Sequence, residues 1–210
     1  QKAGEEISPK EIQEILEKIQ GIPNEAMLSR LILRTMKQAK YMTQCGGHFG
    51  LSMKYYCHFT SPIRRYPDLQ IHRIIKECLH GDMTEKHIEH YKSILPEVTK
   101  HCSMTERRAD DAERDSEKMK KAEYMRGFIG EEYTGVISSV TSFGVYVELE
   151  NTVEGLVHVS NMTDDHYEYD ETSYCLKGQQ TMKTYKLGQI VKIRVENADK
   201  VTGTIDFSMV

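Results

Sequence analysis

The sequence lacks an even set of cysteines, a long apolar run and an excess of positive charge. Its 210 residues include five cysteines, never spaced as Cys-x-x-Cys, which argues against a disulfide framework or a zinc knuckle and indicates reduced thiols. No stretch approaches the roughly 20 apolar residues that a membrane helix needs, and no signal-peptide pattern opens the chain. We therefore expect a cytoplasmic protein that has no membrane partner.

The net charge of −4 does not by itself indicate nucleic-acid binding, so any RNA site has to be a local basic patch. Internal repeats and low-complexity linkers are also absent. The chain begins at Gln1, without an initiator methionine, and stops at Val210 directly after a predicted strand. We expect it to be a piece of a longer protein, with residues needed for activity upstream.

Helical patterns dominate residues 1–126. Ser8-Pro9-Lys10-Glu11 forms a capping box for a first helix, which Gly21 closes. The sequence then predicts a short strand or loop over 51–58, a helix over 68–79 that ends at Gly81, and a long helix from Pro96 to about Arg126. A second helix, capped by Asn24, is expected to bury Leu28, Leu31, Ile32, Met36 and Ala39.

The pattern changes near residue 127, where short alternating runs begin. Turn residues separate five predicted strands, as in a small Greek-key barrel of the oligonucleotide-binding type. An acidic insert that contains tyrosines, residues 163–183, interrupts the series and is expected at the rim of the barrel or against the first part. The predicted strands are Tyr133–Ser138, Phe143–Leu149, Val153–Val159, Gln189–Val195 and Thr204–Ser208.

The segment from His58 to Arg73, HFTSPIRRYPDLQIHR, has the densest chemistry in the chain. Its two prolines hold the backbone extended and restrict the residues before them. Between the prolines lie Arg64 and Arg65, whose guanidinium groups match phosphate oxygens and keep their charge when desolvated. A phosphate clamp and a pair of surface arginines in ordinary ion pairs both fit this pattern.

Asp68 and His72 are four residues apart and therefore share a helix face, which His58 can approach. Such a set suits a metal site or an acid–base pair. The simpler alternative is that Asp68 caps its helix and His72 packs against it. An unrelated metal hydrolase built on these three residues remains open at this point.

The same segment resembles the signature of the RNB family, the exoribonucleases of the ribonuclease II and ribonuclease R type. The similarity is greatest to the ribonuclease R branch, through LRTMKQA (33–39), GHFGL (47–51) and MTERRAD (104–110), and it continues through the final barrel. The resemblance implies hydrolytic, processive degradation of RNA from the 3′ end to nucleoside 5′-monophosphates. It also implies two-metal chemistry with Mg²⁺.

By position in the motif, the resemblance places Arg64 on the scissile phosphate and Arg65 in support of the RNA end. His58 and Tyr66 would shape the pocket for RNA. Glu113 is a weaker candidate for contact with the terminal nucleotide, with a solvated helix charge as its alternative. The family's metal-binding aspartates lie in an earlier part of the catalytic domain, and nothing here resembles them. We therefore expect no metal ligands in this chain, and an inactive isolated chain whose parent is an enzyme.

The final segment resembles the RNA-binding domain named after ribosomal protein S-one, through GVI (135–137), SFGVYV (142–147) and EGLVHVS (154–160). Phe143 and Tyr146 are three apart, and a bulge at Gly144 would bring both rings to one face, where His158 joins them. Aromatic rings flanked by cations, here Lys192 and Arg194, suit single-stranded nucleic acid. The alternative is a core Phe143 among scattered surface groups.

These patterns together predict an α+β protein in two parts. Residues 1–126 form the mostly helical C-terminal half of an RNB catalytic domain, and residues 127–210 form a five-stranded OB-fold β-barrel. The expected partner is single-stranded or structured RNA, with no small-molecule cofactor. The alternative function is a non-catalytic RNA-binding module whose arginines only hold RNA.

Overall fold

A computed structural model describes residues 8–21, 25–171 and 173–210. The chain divides into two compact units, residues 1–110 and 111–210, and the division falls within the longest helix. Helices precede a closed five-stranded barrel, so the predicted α+β class is confirmed. Across the described residues, no helix combines the length and the apolar character that crossing a membrane requires.

The first helix begins at the capping box that the sequence predicted. Helix α1 spans Pro9–Ile19 and helix α2 spans Glu25–Thr35. The Ser8 side chain accepts a hydrogen bond from the Glu11 N–H, and the Glu11 carboxylate accepts one from the Ser8 N–H. The proposed cap Asn24 lies outside the described residues. Ala39 follows the end of α2 and is exposed, so the prediction that it lies on the buried side is wrong.

Helix α3 spans Tyr66–His80 and ends at Gly81, whose φ of 77° is the left-handed conformation that glycine adopts easily. Helix α4 spans Glu85–Met125 and runs through Pro96, so the prediction that a helix begins at Pro96 is wrong. Proline inside a helix removes one N–H donor and crowds the carbonyl group four residues earlier, so a helix that continues through it needs support from other packing. The buried Tyr91, one turn earlier, donates to Glu77 Oε1 of α3 at 2.8 Å and helps to hold this part of α4 helical.

Residues 36–65 connect α2 to α3 without a regular strand. The segment predicted as a strand or loop over 51–58 is a loop, and its one backbone pairing is an isolated bridge between His48 and Met53. Several large apolar side chains in it are exposed. Tyr55, for example, is 72% exposed.

Eight strands follow among the described residues of the second unit. Five of them close into a barrel in the order β1-β2-β3-β8-β7, with β3 and β8 parallel and the other neighbours antiparallel. The other three form a separate antiparallel sheet in the order β4-β5-β6. The strands are β1 Glu132–Thr141, β2 Gly144–Leu149, β3 Glu154–His158, β4 Tyr167–Asp170, β5 Cys175–Gly178, β6 Thr184–Lys186, β7 Ile190–Asp199 and β8 Thr204–Met209.

Alternation along the barrel strands places β-branched and aromatic side chains inside. Val145, Val147, Val157, Ile193 and Phe207 are all fully buried. Their neighbours along the strands are more exposed, which is the period of two expected for strands with one buried face. This core fixes which side chains the barrel turns outward.

The second unit also buries the last turns of α4. Ala122 and Met125 belong to the same apolar core as the barrel strands. Glu123 lies between them and accepts from Lys200, at the end of the β7–β8 hairpin, at 2.5 Å. Residues 111–125 of α4 are therefore part of this unit's packing.

The acidic insert is ordered as the β4-β5-β6 sheet, which the sequence did not predict. Each strand of this small sheet contributes a buried side chain to the barrel core: Tyr167 from β4, Leu176 from β5 and Tyr185 from β6. Asp165 accepts hydrogen bonds from the Thr181 N–H (2.7 Å) and hydroxyl (2.6 Å), which ties the start of the insert to the turn between β5 and β6.

Candidate nucleic-acid interface

Residues 61–65 form a tight turn directly before α3, which we call the arginine-bearing turn. The carbonyl oxygen of Ser61 accepts from the backbone N–H groups of both Arg64 (3.3 Å) and Arg65 (3.0 Å). Pro62 and Pro67 flank the two arginines and limit the conformations of the backbone around them. The turn is therefore compact and stiff, as the sequence predicted.

The two arginines differ sharply in their surroundings. Arg65 donates to Asp68 Oδ2 from Nε (3.2 Å) and Nη2 (2.9 Å), and its side chain is 22% exposed. Arg64 is exposed, and its neighbour Ile63 is fully exposed. Of the pair, Arg64 presents its guanidinium group to solvent, while Arg65 is bound into the turn.

Asp68 is fully buried and accepts a third hydrogen bond through Oδ2, from the Ser61 N–H at 2.8 Å. Burial alone raises the pKa of a carboxylate, but the Ser61 N–H and the Arg65 guanidinium outweigh it and hold the pKa of Asp68 below its ordinary value. Its other oxygen, Oδ1, is buried without a hydrogen-bond partner among the described residues. Asp68 does not cap its own helix, which begins at Tyr66 without a side-chain cap.

The histidines that the sequence grouped with Asp68 have other partners. His72 Nε2 lies 2.8 Å from the carbonyl oxygen of Phe59, and the His72 and Phe59 rings lie 4.2 Å apart, tilted by 33°. His58 Nδ1 lies 2.8 Å from the Tyr41 hydroxyl. Within residues 8–21, 25–171 and 173–210, no three histidine, cysteine or carboxylate side chains are placed to share a metal ion. The observed geometry favours a structural role for Asp68 and His72 over a metal centre. Both bind backbone groups of residues 59–61, and we call this pair the clasp.

Tyr41 and Glu106 join this region although no sequence pattern indicated them. The Tyr41 hydroxyl donates to Glu106 Oε1 at 3.1 Å, and its backbone N–H donates to Ser103 Oγ at 2.9 Å. Burial and the bond to Glu106 raise the pKa of Tyr41, so its phenol stays protonated. Tyr41 is distant in sequence from both His58 and Glu106, and only the tertiary fold brings the three together.

Tyr66 and Glu113 complete the candidates from the first 126 residues. Tyr66 is 46% exposed, and its hydroxyl donates to Gln70 Oε1 at 3.3 Å, one turn along α3. Glu113 is exposed on α4 in the second unit. Its role at an RNA end remains a prediction.

Three rings of the barrel form a surface cluster, which we call the aromatic trio: Phe143, Tyr146 and His158. The Phe143 ring lies 6.3 Å from that of Tyr146 and 6.4 Å from that of His158, nearly parallel to the latter at 25°. Phe143 is 44% exposed and the other two are half-buried. The rings are thus on one side of the barrel, as predicted.

The reason for this clustering is not a bulge at Gly144. Phe143 lies in the turn before β2, and the ladder irregularity lies in β1, between Ile137 and Ser139. A Cβ on Gly144 would collide with the carbonyl oxygen of Val157, so the glycine is needed for close approach of β3. The predicted role of Gly144 is therefore wrong, although the predicted neighbours are correct.

Lys192 and Arg194 are exposed on β7 and alternate with buried residues, as the sequence predicted. Arg194 donates to Glu132 Oε1 at 2.6 Å, across the pairing of β7 with β1. This ion pair engages the Arg194 charge, so Lys192 is the freer cation of the two for contact with a phosphate.

The two cations do not flank the aromatic trio. Lys192 pairs with Thr134 near the start of β1, whereas Tyr146 pairs with Ser139 near its end. At about 3.3 Å per residue, the stretch of strand between these two partners spans roughly 16 Å. The expected arrangement of rings with cations beside them is therefore not observed, and a strand of RNA would have to run along β1 to meet both.

Comparison with known proteins gives two family matches. Residues 1–81 match the RNB domain, and residues 126–210 match the S1 RNA binding domain. Ribonuclease R 1 of Lactococcus lactis is 50% identical over 96% of this chain, and ribonuclease R of Thermotoga maritima is 45% identical over 100% of it. The chain spans 25% of the length of the first of these relatives and 30% of the second.

A solved structure shows the same similarity. Mycoplasma genitalium RNase R in complex with ribose methylated single-stranded RNA aligns with 100% of this chain at a TM-score of 0.91 and 27% sequence identity. The chain covers 33% of that protein. The similarity therefore extends through both the arginine-bearing turn and the barrel.

Proposed function

Because this chain belongs to the RNB family, in its ribonuclease R branch, we propose that it works as part of a hydrolytic 3′-to-5′ exoribonuclease. That enzyme would degrade RNA processively to nucleoside 5′-monophosphates. In this proposal the arginine-bearing turn binds the backbone near the reacting end, and the barrel binds RNA further along. The observation that carries the proposal is the exposed guanidinium of Arg64 on a rigid turn.

Charge and rigidity support this role for the turn. A guanidinium group stays protonated and binds phosphate oxygens in a bidentate way, and a stiff backbone lowers the entropy lost on binding. Arg64→Ala should weaken the binding of a 5′-labelled oligoadenylate about 10-fold or more, the value of one charge-assisted hydrogen bond. Lys76→Ala, which removes an exposed cation from α3, is the matched control. Equal losses in both variants would contradict a specific role for Arg64.

Magnesium belongs to the proposal for the whole enzyme, with ligands outside this chain. Asp68 does not suit the ion, because its Oδ2 already accepts three hydrogen bonds, and no three candidate ligand side chains among the described residues are placed to share a metal ion. We therefore expect this chain to bind RNA without degrading it. The test incubates the chain with single-stranded RNA and magnesium chloride and follows the release of mononucleotides. Steady shortening from the 3′ end would contradict this expectation.

The aromatic trio supports RNA binding by the barrel. Stacking on an exposed ring contributes about 1–3 kcal/mol per base without a requirement for sequence. The triple change of Phe143, Tyr146 and His158 to Ala should therefore weaken oligoadenylate binding at least 10-fold while the barrel stays folded. Tyr174→Ala, at another exposed ring of the second unit, is the control. Unchanged affinity in the triple variant would rule out the trio as an RNA contact.

A non-catalytic RNA-binding module is the second candidate. The aromatic trio supports it for the chain taken alone, because exposed rings can stack on bases without a metal ion. Nuclease assays on a longer polypeptide that carries this chain distinguish the two functions, since only the first predicts release of mononucleotides. We also propose a cytoplasmic location, to which the five free cysteines are suited.

A further inference from the structure

We infer that Asp68 positions the arginine-bearing turn. It holds Arg65 in a purely structural role and leaves Arg64 as the phosphate-binding group. This inference rests on the proposed function and deepens it, because the family resemblance gives Arg65 a role at the RNA end but names no residue that positions the turn. It assigns to Arg65 no direct contact with RNA. The observations that carry it are the contacts around one buried carboxylate.

Asp68 Oδ2 is the point at which the turn is fastened to α3. It accepts from the Ser61 N–H before the turn and from the Arg65 side chain after it. Hydrogen bonds to an ionised acceptor are roughly twice as strong as neutral ones, and this acceptor is fully buried. Breaking either bond would leave a desolvated charge with fewer partners, so both ends of the turn are held strongly.

His72, one helical turn after Asp68, binds the same stretch of backbone. Its Nε2 lies 2.8 Å from the Phe59 carbonyl oxygen, two residues before the amide that Asp68 binds. Residues four apart share a helix face, so Asp68 and His72 together clasp the stretch 59–61 along α3. This spacing, which suits a metal site in the sequence, serves in the structure to hold the entry to the turn.

The consequence is a division of labour between neighbouring arginines. Two nitrogens of Arg65 are committed to Asp68, and Nη2 also lies 3.5 Å from Thr60 Oγ1. The backbone N–H of Arg64 donates to the Ser61 carbonyl oxygen, and Arg64 is exposed to solvent. A phosphate that approaches the turn therefore meets the Arg64 guanidinium, whose direction depends on the clasp beneath it.

The salt dependence of RNA binding separates a structural role from a phosphate contact. RNA affinity falls as the salt concentration rises, and each phosphate contact to a single strand makes the slope of log affinity against log salt steeper by about 0.7. The decisive variant combines Arg65→Gln with Asp68→Asn. The glutamine amide nitrogen takes the place of Arg65 Nε and can donate to the asparagine oxygen, whereas the bond from Nη2 is lost. The net charge is unchanged. The matched control combines Arg64→Gln with Asp115→Asn, a change at an exposed position that also preserves the net charge.

With 5′-labelled oligoadenylate and fluorescence anisotropy, we expect the Arg65/Asp68 pair variant to keep the slope of the unmodified chain. The Arg64 control should make the slope shallower by about 0.7. In addition, Asp68→Ala should weaken binding in the unmodified chain but not in the Arg64→Gln variant, because its effect passes through Arg64. If Asp68→Ala does not fold, the charge-neutral pair variant decides the question, since it keeps a hydrogen-bonding group at both positions and buries no unpaired charge.

Two results would overturn the inference while leaving the proposed function intact. A slope shallower by about 0.7 in the Arg65/Asp68 pair variant would show that Arg65 itself contacts a phosphate. Equal loss from Asp68→Ala with and without Arg64 would show that Asp68 acts elsewhere. Absence of RNA binding by the unmodified chain would refute the proposed function, and the inference with it.

Discussion

Gly155 of β3 is a position at which the barrel core should tolerate a single added methyl group poorly. A Cβ built on Gly155 would lie 2.5 to 2.7 Å from three ring atoms of Phe207, which is fully buried in β8. Carbon atoms pack best at about 3.5–4.0 Å, so Gly155→Ala forces the ring or one strand to move by roughly 1 Å. Overpacking of a tight core costs about 1–3 kcal/mol.

Native-state amide hydrogen exchange measures this cost in the barrel alone. The exchange of the Val157 and Ile193 amides, in the middle of the core, should accelerate about 5- to 150-fold for a loss of about 1–3 kcal/mol. Gly127→Ala is the matched control, because a Cβ there meets nothing within 4 Å. It should leave exchange nearly unchanged.

The same clash predicts how the damage can be relieved. Phe207→Leu removes ring atoms from the point of contact and by itself destabilises the barrel by leaving a cavity. Combined with Gly155→Ala, it should cost less than the sum of the two single changes, because each removes part of the other's defect. Strict additivity, or a Gly155→Ala chain as stable as the Gly127 control, would refute this account of the core.

Three further predictions concern side-chain contacts outside the core. The Thr181 hydroxyl and backbone N–H lower the pKa of Asp165 to about 2. The contribution of Asp165 to stability is therefore complete above its ordinary pKa near 4 and declines as the pH falls towards about 2. The chemical shift of the Thr181 amide in NMR spectra should follow this titration, and a midpoint near 4 would contradict the prediction. Glu123→Gln weakens exposed contacts with Lys120 and Lys200 and should leave the midpoint of urea unfolding nearly unchanged, whereas a clearly lower midpoint would mean that these contacts stabilise the second unit. Ser8→Ala removes the α1 cap and should cost about 1 kcal/mol, read from faster amide exchange in α1, and unchanged exchange would show that the cap contributes nothing.

The elements that the sequence predicted well are those set by local chemistry. The capping box at Ser8 and the left-handed Gly81 depend on residues a few positions apart, and both lie where expected. The barrel strands follow from alternation over short runs, and all five form. Pro96 was misleading because its local effect on a helix is outweighed by packing of the preceding turn, where Tyr91 is buried against α3.

Non-local contacts account for most of what the sequence did not predict. The insert sheet depends on Asp165 reaching the turn near Thr181, a contact that the residue types do not indicate. The bond between Tyr41 and Glu106 likewise joins distant segments. The aromatic trio was predicted correctly for the wrong reason, since the position of Phe143 in a turn, and not a bulge, brings its ring beside the others.

The spacing of Asp68 and His72 shows why residue types alone leave the function of a site open. An aspartate and a histidine on one helix face suit a metal ion, an acid–base pair or a structural clasp equally well, because all three need the same donors and acceptors at the same separation. What separates them is the third partner, and here the partners are the Ser61 N–H and the Phe59 carbonyl of one backbone stretch. Since a backbone stretch held at two points cannot rotate freely, the clasp fixes the direction of the turn that follows. The chemical signature of the segment lies in its arginines, but the structure assigns their orientation to the helix beneath them.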